Sequence, residues 1–223
     1  MSSGEMFNWP DGDVILRGTH GAETRDFRVH KLFLSFSSSV FKDMFTIPQP
    51  LSPTSDVDIV DLSDPPRALE LILRIVYPSS APPIVEDLTI ASEALKLADK
   101  YGIEVARPRL RSSLAGFAKI EPLRTYAIAY QLGFEEEMKI ASTHTLPIDI
   151  SALTQLPDEF KFIPATEYHR LIRLHTRYRK EVMPIAIDSL PSLFTINRMS
   201  GSGKGVRRRR IRRFWRCLLL TPS

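Results

Sequence analysis

The chain has 223 residues, 43% apolar and 25% charged, which suits one globular domain of moderate size with its own core plus an extension. Its net charge of +4 comes from one end: residues 201–223 hold eight cations and no acid, and without them residues 1–200 carry −4, so the body gives no reason to expect attraction to nucleic acid. The single cysteine, Cys217, excludes an internal disulfide and fits an intracellular setting, cytoplasm or nucleus, while no apolar run reaches the roughly 20 residues that cross a bilayer.

Residues 1–12 read as a loose lead-in without the basic start and apolar stretch of a secretory signal, with Phe7 and Trp9 placed to pack back on the body. Two strand-like segments follow, Asp13–Arg17 and Thr24–Val29, around a glycine-bounded turn, Gly18-Thr19-His20-Gly21. Alternation puts Val14 and Leu16 on one face and Ile15 on the other. Leu32, Leu34, Phe36, Val40, Phe41, Met44 and Phe45 then recur at helical spacings, and Ser37–Ser39 divides them into two short helices. A proline-broken loop covers Ile47–Pro53. Val57, Ile59 and Leu62 alternate with acids as a third strand.

Asp64-Pro65 reads as a helix start with a capping carboxylate, and Leu69, Ile72, Leu73 and Val76 form the buried stripe of a helix that stops at Tyr77-Pro78. Another helix spans about Thr89–Tyr101, with Ile90, Ala94, Leu97 and Tyr101 on one face and Gly102 as its C-terminal cap. The second half is helical: Val105–Phe117, Pro122–Leu132 and Glu135–Thr145, with Pro122 and Gly133 as punctuation. After a loop at Leu146–Pro164, Thr166 caps a last helix to about Met183, with Tyr168, Leu171, Ile172, His175, Tyr178 and Val182 on its apolar side.

The opening resembles a BTB (POZ) domain. Asp13-Val14 stands where that family begins its first strand, Phe27-Arg28-Val29-His30-Lys31 where it ends the second, and Val40-Phe41-Lys42-Asp43-Met44-Phe45 where it closes the helix pair. The helices around ALELILRIVYP and ALKLADKYGI resemble those that close the domain. The resemblance implies an α+β fold: a small three-stranded sheet against a helical cluster at residues 13–108, then an all-helical extension at 109–185; composition and charge add an expected basic, disordered tail at 186–223. It implies a non-catalytic protein–protein interaction module without cofactor, acting through self-association or as an adaptor or scaffold. It also places a partner-facing site on Asp13, Lys31 and Phe45. Two readings of Asp13 and Lys31 stay open: a charged pocket at a dimer interface, or an exposed ion pair contributing under about 1 kcal/mol.

Two departures from the family pattern shape the expected partners. Only twelve residues precede Asp13, so a dimer that swaps a long N-terminal arm is not expected. Thr46-Ile47-Pro48-Gln49-Pro50 lacks the glutamate that adaptors of cullin-type ubiquitin ligases carry soon after the Met-Phe pair, which removes the local marker for a cullin partner.

Other constellations favour structural readings. His20, His30, His144, His169 and His175 do not pair at the spacing that lets two imidazoles of one helix share a metal. Ser35, Ser37, Ser38 and Ser39 near His30 could suggest a hydrolase, but no strand–turn–helix elbow exposes them. Serines there cap and break helices, and His30 is expected to hydrogen-bond in the core. The run Glu135-Glu136-Glu137 offsets a helix dipole. The tail cations Arg207, Arg208, Arg209, Arg210, Arg212 and Arg213 admit three readings: a nuclear-import signal, a phosphate-binding segment of a nucleic-acid-associated regulator, or an end without a selected role.

Overall fold

The structure, a computed structural model, describes residues 7–47, 57–78 and 83–181. The expected tail and the loop from Pro48 to Pro53 lie outside these residues, as do Val182 and Met183. The chain divides into two compact units between Glu121 and Pro122; the boundary expected at residue 108 falls inside a helix, Arg107–Phe117.

The first unit is built on a three-stranded sheet of order β2-β1-β3, with β1 at Val14–His20, β2 at Glu23–Val29 and β3 at Asp58–Leu62. β1 and β2 are antiparallel, from Val14 opposite Val29 to His20 opposite Glu23. The turn is therefore Gly21-Ala22 and not Gly18–Gly21. Gly21 takes φ +59°, a conformation that favours glycine, at the hairpin tip. Gly18 instead lies inside β1, where a Cβ would come within 3.3 Å of the Asp64 carbonyl oxygen and of Pro66 Cα. Val14, Leu16, Phe27 and Val29 are buried on one face of the hairpin, and Ile15 faces the other way.

β3 runs parallel to β1, with Ile15 opposite Ile59. Its phase differs from the expected one: Leu62 is buried, but Ile59 is exposed and Val60 is the more covered neighbour. Register with β1 decides this, because Ile59 must share the face of its partner Ile15.

The helix pair is α1, Lys31–Ser37, and α2, Ser39–Thr46. Ser38 separates them: its hydroxyl accepts from Phe41 N–H at 3.0 Å and donates to the Tyr101 carbonyl at 2.5 Å. α3, Pro66–Val76, buries Leu69, Ile72 and Leu73 and stops before Pro78. Asp64 does not cap it. The N-cap is Pro65, and the Asp64 carboxylate instead receives Lys100 Nζ at 2.8 Å and the Tyr101 hydroxyl. α4, Leu88–Lys100, is capped by Asp87, whose side chain accepts from Thr89 and Ile90 N–H, and closes on Gly102 at φ +62°. α5, Arg107–Phe117, packs on α4 through Leu110 and Leu114.

In the second unit α6, Pro122–Gln131, lies beside α7, Glu135–Thr145, with Gly133 at φ +69° between them. The expected loop at 146–164 contains two short 3-10 turns, Ile150–Ala152 and Asp158–Phe162. The second is fastened to α6 by Arg124 and Glu159 at 2.8 Å and by stacking of Phe160 on Tyr126. α8, Ala165–Glu181, begins one residue before Thr166, which sits within its first turn instead of capping it. Leu171 and His175 are its buried side chains.

Candidate functional site

The residues singled out from sequence gather where β1, β3 and α1 begin. Asp13 precedes β1, and its Oδ1 accepts the backbone N–H of Lys31 at 2.7 Å. The N-cap residue of α1, His30, gives no side-chain bond to the helix, so a carboxylate 18 residues upstream satisfies one of the unpaired amides of its first turn. The Lys31 ammonium pairs with Asp58 Oδ2 at 2.5 Å and lies 5.8 Å from the centre of the Phe45 ring. Asp13 and Lys31 are thus neighbours joined through backbone, and the ion pair is between Lys31 and Asp58. Phe45 stacks on the buried Phe41, which stacks on Tyr101.

Next to this charged group is an aromatic cluster. Tyr77, the C-cap of α3, contacts Phe7, Trp9, His30 and Phe33. Phe7 is buried, while Trp9 stacks nearly parallel to Tyr77 and stays 43% exposed. The segment is held to β2 by Arg28 N–H to the Phe7 carbonyl at 2.8 Å and Trp9 N–H to the Arg28 carbonyl at 3.2 Å.

His30 N–H donates to the Tyr77 hydroxyl at 2.7 Å, so that hydroxyl's own proton is available for His30 Nδ1 at 3.1 Å. The other ring nitrogen, Nε2, lies 3.4 Å from Asp11 Oδ1. Burial pushes the Tyr77 phenol up to about 12. Among the serines, Ser38 is buried and both bonds of its hydroxyl go to backbone groups. No group of three His, Cys, Asp or Glu able to hold a metal occurs among the described residues, and no helix there is long and apolar enough to cross a membrane.

The helix pair also carries exposed apolar residues. Only Leu34 and Phe41 of the seven apolar side chains expected at helical spacings are buried. Leu32 is 74% exposed and Phe36 91%, one turn apart on α1. Val40 on α2 and Ile47 just after it are also exposed. The signal was present in the sequence: apolar residues at 32, 34 and 36 cannot share one side of a helix, so a second face had to be apolar. The reach of Asp58 to Lys31 and the aromatic ring around Tyr77 had no local signal.

Residues 12–115 match the family model of the BTB/POZ domain. Over 144 residues the chain is 25% identical to the mouse (Mus musculus) TD and POZ domain-containing protein 5, an alignment that covers 65% of this chain and 41% of that protein. The chain thus spans less than half the length of the curated relative it matches. With a three-stranded sheet against short helices inside that match, residues 12–115 of this chain are a BTB/POZ domain, followed by an all-helical extension.

Proposed function

We propose that this BTB/POZ domain, of a family of protein–protein interaction modules that are in general not catalysts, acts by self-association, and that the exposed face of α1 is the contact surface, rimmed by Asp13, Lys31 and Phe45. The observation that carries this reading is the exposure of Leu32 and Phe36 on one side of a helix whose opposite side, Leu34, is in the core. Scattered exposed apolar residues are ordinary, but two large ones stacked on a seven-residue helix are a contact element. A phenylalanine so placed supplies the apolar anchor on which interface affinity concentrates. The charged rim would then fix orientation more than affinity.

Light scattering on the full chain and on Phe36→Asp tests it. The wild type is expected at twice the monomer mass and the variant at the monomer mass, with unchanged circular dichroism. An adaptor role for a different protein is the second reading, and its outcome would be a monomeric wild type that loses a partner on Phe36→Asp. The cullin marker segment falls largely outside the described residues, from Pro48 on.

A further inference from the structure

The exposed side of α8 is a ridge of cations. With about 100° between successive residues, Arg170, Arg173, Arg177 and Lys180 fall within one arc of roughly 80°, opposite the buried Leu171 and His175, and all four are exposed. The ridge runs about 15 Å along the helix at 1.5 Å per residue. Its acids stand at the flanks: Glu167 meets Arg170 at 3.1 Å and Glu181 meets Arg177 at 3.2 Å. The Arg177–Glu181 pair is exposed on both sides, so a polyanion can replace it at little cost, while Glu167 is partly covered. Thr166 lies in the same arc, with His169 and Thr176 beside its edge, and none of the three is a large apolar anchor.

A second observation comes from the distribution of charge along the chain. Residues 165–223 contain 14 Lys and Arg and three Asp and Glu, a net +11, and therefore residues 1–164 carry −7. The cations of α8 and those of the arginine run both lie in the C-terminal part of a chain whose remainder is acidic, an asymmetry consistent with a polyanionic partner.

We propose that α8 is a non-specific nucleic-acid-binding element, and that its ridge neutralises phosphates of a double-stranded DNA backbone. Duplex phosphate is favoured over an acidic protein because the ridge lacks the aromatic and aliphatic side chains that anchor protein interfaces. It is favoured over single strands because the ridge offers no aromatic platform for bases. Arginine predominates, and its planar guanidinium matches phosphate oxygens in pairs. A bare helix ridge also has the width the DNA major groove admits. Binding of this kind is driven by release of condensed cations, so its signature is salt dependence.

The test is fluorescence anisotropy of a labelled 20-base-pair duplex of arbitrary sequence against the full chain from low to moderate salt. It compares the wild type, a triple variant Arg170→Gln/Arg173→Gln/Lys180→Gln, and a second triple variant Arg207→Gln/Arg208→Gln/Arg209→Gln. The ridge substitutions lie on exposed helix positions and are expected to leave circular dichroism unchanged. Wild-type binding is expected to fall steeply with salt. The ridge variant should bind at least about tenfold more weakly and lose about one unit of the logarithmic salt slope per cation removed, alongside a similar loss in the tail variant. A ridge variant with wild-type affinity and slope would overturn the proposal, because the tail alone would then account for binding. It would equally be overturned by no binding to duplex, or by polyglutamate competing as well as unlabelled duplex does.

Discussion

The Asp13 carboxylate accepts the Lys31 backbone N–H at 2.7 Å, so the residue that opens β1 caps the helix that follows β2. Asp13→Ala removes that acceptor, and the cost is expected to be about 1 kcal/mol, the usual size of an N-terminal capping bond. Asp13→Asn keeps an oxygen and should recover most of it. Lys31→Ala leaves the cap in place and removes only a partly exposed ion pair, so its loss should be smaller. Urea denaturation of the three variants gives the order.

Asp64 is buried, and its partners are the Lys100 ammonium and the Tyr101 hydroxyl. Burial and the neighbouring carboxylate push the Tyr101 phenol up, so it stays a donor at any ordinary pH. Tyr101→Phe strands one bond of a buried charge and should cost on the order of 2 kcal/mol. Asp64→Ala leaves the hydroxyl and the ammonium without their acceptor and should cost more. Equal midpoints for wild type and Tyr101→Phe in denaturant would contradict this.

Two glycines separate conformational need from open space. Gly102 has φ +62° and Ser39 Oγ 3.2 Å from any added Cβ, so Gly102→Ala should destabilise by about 1 kcal/mol. Gly116 lies inside α5 with nothing within 4 Å of that position. Gly116→Ala should therefore stabilise, by roughly 0.5–1 kcal/mol of helix propensity. Thermal melts of the two variants should shift in opposite directions.

His175 ties α8 to the end of α7. Thr145 Oγ1 donates to the Ser142 carbonyl, so at 2.9 Å it accepts from His175 Nε2–H. Burial first, and Arg179 second, hold its pKa below the ordinary 6.5, while Asp149 opposes them. A base with a depressed folded pKa is protonated first in the unfolded chain. The stability it permits is present above about 6.5 and declines as pH falls through 6.5 toward the folded value, below which it levels off. Amide exchange in α8 should accelerate between pH 7 and pH 5.5 beyond the intrinsic pH effect. His175→Gln should reduce that pH dependence.

What could be read from the sequence was what short segments decide. Val14, Leu16 and Val29 follow from alternation, Ser38 from the break in helical spacing, and Gly102 and Gly133 from their places just past helix ends. The resemblance located the domain because its marks, Asp13-Val14 and Val40–Phe45, are also local. Readings failed where a distant partner decides. Asp64 has the spacing of a cap, but Lys100 and Tyr101, 36 and 37 residues on, claim its carboxylate. Ile59 has the alternation of a core residue, but pairing with Ile15 turns it outward. Leu32 and Phe36 looked like ordinary members of a helical stripe, and only the side taken by Leu34 shows that they face solvent.

The account depends on the outer face of α1 being a contact surface. Light scattering of the full chain across a concentration series, beside Leu32→Asp and Phe36→Asp, tests this most directly. The account predicts twice the 25.3 kDa chain mass for the wild type and the single-chain mass for both variants, all three equally folded. A wild type that stays at the single-chain mass at every concentration, or variants that remain paired, would contradict it.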